Sequence, residues 1–154
     1  MSDLAGVLQE ACDDVISDPS LAPAGGVTHC NEGAARVAEA MGCTELSGYM
    51  ADEQYQIMDS NLSGCWAKVD GRTATLHALD GGLAFAAMPS HRLKEAHGHI
   101  AAIYPAAMEL SGSLGVDVPM VANVGKQDRE EKASAAFPVA DGEPDYFTWT
   151  KEAA

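Results

Sequence analysis

The chain has little positive charge. It carries 9 Lys and Arg against 23 Asp and Glu in 154 residues, a formal net charge of −14. A surface of that sign repels the phosphates of nucleic acid and the headgroups of anionic lipid. We therefore expect neither nucleic acid nor a membrane as a partner. The acidity is read as serving solubility, and a sharper interpretation is binding to a basic protein.

Long apolar runs are also missing. No stretch approaches the roughly 20 apolar residues that a membrane span requires. The opening "MSDLAGVLQEACDDVI" is acidic where a secretion signal is basic, and it has no unbroken apolar run. The expectation is a soluble chain made in the cytoplasm. If it acts in the periplasm or cell wall, a dedicated secretion system or phage lysis must deliver it.

Cysteine is sparse, and its spacing excludes the common cysteine frameworks. The four cysteines form no CxxC pair and no zinc-type Cys/His pattern, so no disulfide network is expected. We expect no cofactor and no metal. A weaker metal hypothesis uses His91, His97 and His99, but no acidic or cysteine ligand matches them in spacing.

The length and apolar content that are present suit one domain over residues 1–154 with one core. Apolar periodicity predicts helices over 3–17 and 31–41 and a weaker one over 49–62. Strands are predicted over 65–69, 73–79, 81–89, 98–105 and 118–125, with a hairpin turn at Asp70-Gly71. The tail, 137–150, is a candidate for one edge strand. Helices followed by strands favour an α+β fold, with N-terminal helices packed on an antiparallel sheet.

Position singles out one cysteine for chemistry. Cys12 falls on the apolar face of the first helix, Cys43 follows a helix end, and Cys65 lies in a predicted strand. Cys30 opens the second helix, where free N–H groups and a partial positive charge are expected to lower a thiol pKa. A catalytic cysteine, if there is one, is therefore Cys30, and its own N–H is available to an oxyanion.

A cysteine nucleophile needs a base and a group that orients the base. His99 opens an apolar strand, which is a good place to fix an imidazole. His29 is a poor in-line base because adjacent side chains diverge, although it can line the site. Asn123 lies in the next predicted strand, where a buried amide needs partners. Two interpretations of Asn123 stay open: it orients His99, or it caps the turn at Val124-Gly125.

Four segments together resemble a known family. "THCNEGAARVAEAMGC", "GGLAFAAMPS", "HGHIAAIYP" and "PMVANVG" are similar to motifs of the NlpC-type and CHAP-type papain-like amidases, in the same order, over residues 27–126. The resemblance implies a papain-like core and a cysteine peptidase or amidase that cuts peptide bonds of bacterial peptidoglycan. It also implies Cys30 as nucleophile, His99 as base and Asn123 as the orienting residue.

Further predictions follow for the site and its partners. His29, Asn31 and Trp66 are weaker candidates for substrate or oxyanion binding. The aromatic residues are expected in the core more than in a substrate groove: Trp66, Tyr146, Phe147 and Trp149. The substrate is a peptidoglycan stem peptide, and a cognate immunity or inhibitor protein is a candidate partner. The alternative function is a catalytically inactive acidic binding or immunity-like protein that neutralises a basic partner.

Overall fold

The computed structural model describes residues 3–138 and 142–151 and has the predicted α+β class. The helices are α1 (Asp3–Ser17), α2 (Cys30–Ala40), α3 (Ala51–Ser60), α4 (Gly71–Leu79), α5 (Ser90–Leu93) and α6 (Ala133–Ala136). The strands are β1 (Trp66–Val69), β2 (Leu83–Met88), β3 (His99–Ile103), β4 (Glu109–Leu110), β5 (Asp117–Val118), β6 (Met120–Asn123), β7 (Arg129–Lys132) and β8 (Asp145–Trp149). Among these helices, none is long and apolar enough to cross a bilayer.

Six strands form one antiparallel sheet in the order β1-β8-β2-β3-β6-β7, and β4 and β5 form a separate pair. Every residue of β2 is buried, although a strand with one wet face alternates between buried and exposed positions. Both faces of the sheet are therefore covered at its centre, which explains why every residue of the sequence LAFAAM is apolar.

The predicted α1 and α2 are confirmed, and α2 begins at Cys30, one residue before the predicted start. The start of α2 packs closely on the residue that follows β6. A Cβ placed on Gly33 would lie 2.8 Å from Val124 Cγ2, so only glycine allows this approach. This close packing brings Cys30 to the end of β6.

The strand predicted over 73–79 is wrong, because the segment forms α4. Asp70 Oδ1 accepts a hydrogen bond from Thr73 N at 2.7 Å, so Asp70 caps a helix and does not begin a hairpin turn. The buried residues follow the i, i+3, i+4, i+7 spacing of a helix, whereas a strand alternates: Gly71, Ala74, Thr75 and Ala78. The cap and this spacing together favour a helix over the predicted strand.

The edge strand proposed for the tail is also wrong, since β8 lies inside the sheet. Trp149 pairs with Trp66 of β1 on one side and with Leu83 of β2 on the other. The four residues 146–149 are all buried, as an interior strand requires. This burial confirms that the aromatic residues of β1 and β8 belong to the core, as predicted.

Candidate active site

Cys30 is the first residue of α2 and is 7% exposed. Three backbone N–H groups lie near its sulfur and act to lower the pKa of the thiol, those of Ile100, Asn31 and Cys30 itself. Two of these N–H groups are free because the first turn of a helix has no intrahelical acceptor for them. The third comes from the sheet, so the sulfur lies at the junction of α2 and β3.

The sheet pairing explains why the Ile100 N–H points at the sulfur. Tyr104 N donates to Met120 O at 2.9 Å, so this N–H of the β3 chain faces β6. Alternate N–H groups along an antiparallel strand face the same neighbour, which directs the Ile100 N–H to the β6 side as well. Because β6 ends at Asn123, the Ile100 N–H lies beyond the paired segment and meets Cys30 instead.

The expected lowering of the Cys30 pKa is wrong. Burial raises the pKa of the thiol, and this effect exceeds the lowering by the three N–H groups. A helix start that faces solvent favours the thiolate, but here the sheet covers the sulfur. The resting side chain is therefore a neutral thiol that needs a base to become a nucleophile.

His99 is the first residue of β3, and its ring is held by Asn123, the last residue of β6. His99 Nε2 donates to Asn123 Oδ1 at 2.6 Å, while Asn123 Nδ2 donates to Glu131 Oε1 at 3.4 Å. An amide oxygen only accepts, so Nε2 carries the proton and Nδ1 keeps its lone pair. Of the two interpretations of Asn123, the hydrogen bond to His99 is the one present.

Packing fixes the imidazole from its other sides. The Phe137 ring lies 4.9 Å from the His99 ring, centroid to centroid, with 53° between their planes. A Cβ on Gly125 would lie 3.3 Å from His99 Cε1, so glycine leaves room for the ring. Burial lowers the pKa of His99, and the hydrogen bond to Asn123 partly offsets that effect. Among the residues that the structure describes, Nδ1 has no hydrogen-bond partner, so His99 is a neutral base with one ring nitrogen available.

The structure brings Cys30, His99 and Asn123 to one end of the sheet. Ile100, whose N–H contacts the Cys30 sulfur, directly follows His99 in β3. Asn123 reaches His99 from the neighbouring strand. A thiol, a base and a residue that orients the base are the parts that nucleophilic catalysis by cysteine requires.

The two weaker candidates beside Cys30 have specific partners. Asn31 Nδ2 donates to Tyr49 O at 3.2 Å and contacts Met50 Sδ at 3.8 Å, so this side chain fixes the segment before α3. His29 Nδ1 lies 2.8 Å from Glu32 Oε1, one turn along the helix. Asn31 is therefore engaged away from the thiol, whereas His29 keeps its second ring nitrogen for other contacts.

Trp66 is wrong as a substrate-binding residue. It is 3% exposed, and its indole N–H donates to Glu45 Oε1 at 3.2 Å. Through the pairing of β1, β8 and β2 it lies level with Leu83, whereas His99 pairs with Met88. At about 3.3 Å per residue the two ends of β2 are about 16 Å apart. Trp66 is a core residue at the opposite end of the sheet.

Sequence reasoning missed a buried polar residue behind the site. Gln54 is 0% exposed, and its Nε2 donates to Asn31 O at 2.9 Å and to Leu46 O at 3.1 Å. It shares the buried face of α3 with Tyr55 and Met58, at helical spacing. A polar residue at a core position of an apolar stripe is the signal that identifies it.

The histidine cluster considered for a metal is not assembled. His91 and His97 are exposed, and His99 gives its Nε2–H to Asn123. Within residues 3–138 and 142–151, no three His, Cys, Asp or Glu side chains gather closely enough to hold a metal ion.

No protein-family model matches the chain, and a search of curated proteins finds none with significant similarity. The resemblance to papain-like amidases therefore stays a prediction. The α+β fold and the geometry at the starts of α2 and β3 are the observations that bear on function.

Proposed function

We propose that the protein is a cysteine amidase or endopeptidase with a papain-like core, which hydrolyses peptide bonds of bacterial peptidoglycan. Cys30 is the nucleophile, His99 the base and Asn123 the residue that orients the base. One observation carries the proposal. His99 Nε2 donates a 2.6 Å hydrogen bond to Asn123 Oδ1, and the N–H of Ile100, the next residue of β3, lies near the Cys30 sulfur.

The first chemical step follows from the neutral thiol. His99 Nδ1 accepts the thiol proton as the sulfur attacks the amide carbon of a stem peptide. Charge moves from sulfur to the carbonyl oxygen, and the N–H groups at the start of α2 are placed to stabilise it. The C–N bond then breaks, and the leaving amine takes the proton from His99. An acyl thioester on Cys30 remains, and water hydrolyses it.

The substrate is proposed on narrower grounds than the chemistry. The order of four motifs over residues 27–126 supports a stem peptide, and the site geometry supports cleavage of an amide by a thiol. Delivery to the wall by a dedicated secretion system or by phage lysis belongs to the same proposal. A cognate immunity protein is the partner expected for an exported amidase.

An inactive acidic binding protein is the second candidate. The net charge of −14 favours it, because such a surface complements a basic partner. The buried thiol with its raised pKa is also what a structural cysteine shows. Under this alternative, Cys30 packs against the sheet, and the hydrogen bond between His99 and Asn123 only satisfies two buried polar groups.

Digestion of purified peptidoglycan separates the two candidates. The wild-type protein should release muropeptides that mass spectrometry assigns to one cleaved amide bond. Cys30→Ala should lose this activity by about 10³-fold or more, since the variant lacks the sulfur on which the thioester forms. Cys65→Ala is the matched control, because Cys65 is half-buried in the turn before β1, and it should keep full activity. Undiminished release of fragments by Cys30→Ala contradicts the proposal.

A further inference from the structure

The hydrogen bond between His99 and Asn123 is compatible with two positions of the ring proton. A neutral imidazole either donates or accepts at Nε2, and an asparagine amide offers an oxygen to the first form and an NH₂ group to the second. In the first arrangement Nε2 carries the proton, and Nδ1 keeps a lone pair. In the second arrangement the proton is on Nδ1, so the nitrogen proposed as the base has no lone pair for the thiol proton.

Glu131 excludes the second arrangement from the far side of the amide. Its Oε1 lies 3.4 Å from Asn123 Nδ2, and a carboxylate oxygen only accepts, so the NH₂ group faces Glu131. A flipped amide would set its oxygen against the carboxylate. This repulsion is strong away from water, and Asn123 is 7% exposed and the Glu131 side chain 10%. Asn123 Oδ1 therefore faces His99 Nε2, 2.6 Å away, and the ring proton is on Nε2.

The sheet explains why Glu131 reaches Asn123. In the antiparallel pair β6–β7, Asn123 is opposite Arg129, and Val121 is opposite Glu131. Opposite residues and those two positions along share a face, so Glu131 is the diagonal neighbour of Asn123, within reach of a long side chain. Arg129 Nε lies 3.3 Å from Glu131 Oε1 and 3.5 Å from Oε2. A guanidinium only donates, so Arg129 holds the carboxylate beside the amide.

The charge of Glu131 also acts on the ring. Burial lowers the pKa of His99, while the hydrogen bond to Asn123 and the charges of Glu95 and Glu131 raise it. A negative group that raises this pKa stabilises the imidazolium, which is the form that His99 takes once it has accepted the thiol proton. Glu131 therefore favours the correct neutral form of the base and also the product of the first proton transfer.

We propose that Glu131 is a positioning residue of the site, an inference that rests on the proposed function. Through Asn123, it keeps the ring proton of His99 on Nε2 and leaves the lone pair on Nδ1, where the thiol proton goes. Each group in this chain of hydrogen bonds has one role, since the carboxylate accepts from the amide NH₂ and the amide oxygen accepts from Nε2–H. Glu131 acts by orientation and charge, and no proton passes along the chain.

The tautomer of His99 tests the inference in the resting protein, without substrate. Long-range proton–nitrogen correlation NMR of histidine-labelled protein distinguishes Nε2–H from Nδ1–H rings, and His99→Gln identifies the signals of this ring by their loss. The wild type should show the Nε2–H form. Glu131→Leu removes the acceptor and should show a mixture of both forms. Glu131→Gln keeps an oxygen that Arg129 holds beside Asn123, so it should keep the Nε2–H form.

Kinetics with peptidoglycan distinguish positioning from a structural role. Glu131→Leu should lower kcat by about three- to tenfold, since small misplacements of catalytic groups are costly. Glu131→Gln should recover most of this loss, because it restores the acceptor. In an Asn123→Ala background, Glu131→Leu should cause little further loss, since its effect passes through the amide that is already missing. A double-mutant cycle measures this coupling.

Glu130→Leu is the matched control. Glu130 precedes Glu131 in β7, is exposed, and lies on the other face of the sheet because side chains alternate along a strand. This variant should keep the wild-type tautomer and kcat. Glu131→Ala removes the carboxylate with a smaller side chain. Circular dichroism establishes which variants are folded, and either folded variant without the carboxylate suffices for the test.

The possible failures are distinct. An unchanged His99 tautomer in folded Glu131→Leu or Glu131→Ala overturns this inference alone. An equal loss of kcat from Glu131→Leu with and without the Asn123 amide also overturns it alone, because Glu131 then acts by another route. Tautomers that change as expected, in a wild-type protein that releases no muropeptides, overturn the proposed function and not the effect of Glu131 on the ring.

Discussion

A histidine and a cysteine lie at each end of the central strands, but the groups that they contact differ between the two ends. At the end that holds Trp149, His77 Nε2 lies 3.0 Å from the backbone oxygen of Trp149. Cys43 lies just beyond the C-terminal end of α2. At the other end, His99 bonds the side-chain amide of Asn123. A backbone carbonyl is part of the scaffold, whereas a buried side-chain amide is retained only where it has partners.

The groups around the two thiols, Cys43 and Cys30, also differ. Burial raises the pKa of Cys43 to about 11; the backbone N–H of Glu45 offsets this rise in part, and the Glu45 carboxylate adds to it. Glu45 is kept there because it accepts both indole N–H groups, from Trp66 at 3.2 Å and from Trp149 at 3.0 Å. Cys30 has three backbone N–H groups near its sulfur where Cys43 has one, and no carboxylate contributes to the shift of the Cys30 pKa. The neighbouring donors and acceptors therefore separate a structural cysteine from a candidate nucleophile, since the two ends carry the same residue types.

The largest test of this comparison removes one side chain of each histidine pair. Asn123→Ala frees the His99 ring, so kcat should fall by about 10²-fold, within the range of general-base contributions. His77→Ala loses one hydrogen bond to Trp149 O and should cost about 1 kcal/mol of unfolding free energy without a change in kcat. Steady-state kinetics and urea denaturation measure the two effects. Equal losses of kcat in both variants contradict the functional difference between the two ends.

A second test adds one carbon beside each histidine. A Cβ on Gly125 would lie 3.3 Å from His99 Cε1 and 3.4 Å from Asn123 Oδ1, so the ring must shift by a few tenths of an ångström. Gly125→Ala should lower kcat by about three- to tenfold, since small misplacements of catalytic groups are costly. In Gly82→Ala the added carbon overlaps His77 Nε2, so unfolding free energy should fall by about 1–3 kcal/mol. A thermal melt alongside kinetics distinguishes these outcomes.

The pH dependence of kcat/KM should show a smaller effect, and its direction follows from the pKa of His99. Burial lowers the pKa of His99 below its usual 6.5, so its imidazole stays neutral, and able to accept a proton, at more acidic pH. The acidic limb of kcat/KM should therefore lie below pH 6.5. Because the hydrogen bond to Asn123 raises this pKa, Asn123→Ala should move the limb still lower. The lowered pKa also makes the His99 contribution to stability complete above pH 6.5 and lost as pH falls through the folded pKa.

Alkylation of the thiols is the mildest test. Cys65 is the half-buried cysteine, whereas Cys12, Cys30 and Cys43 are buried. Iodoacetamide at pH 6 should label Cys65 before Cys30, because Cys30 is a covered thiol with a raised pKa. Peptide mapping by mass spectrometry gives the order. If Cys30 is labelled first, the thiolate is preformed and the burial argument for a neutral resting thiol fails.

Local periodicity predicted the elements whose pattern is strong. α1, α2, β2, β3 and β6 were all expected from their spacing and are present. The prediction for 73–79 is wrong because short apolar runs fit a helix or a strand, and the cap at Asp70 is the local signal that distinguishes them. β8 was placed at an edge because the choice of partner strands depends on residues far apart in sequence.

By itself, the sequence determined that Cys30 begins a helix and that His99 and Asn123 lie on strands, since capping and alternation are local properties. Only the tertiary structure decided what these positions mean chemically. The end of β6 directs the Ile100 N–H to the sulfur, and the cover of the sheet raises the thiol pKa that the helix start alone lowers. Desolvation and cross-strand hydrogen bonds depend on which distant segments meet, and no local spacing encodes that.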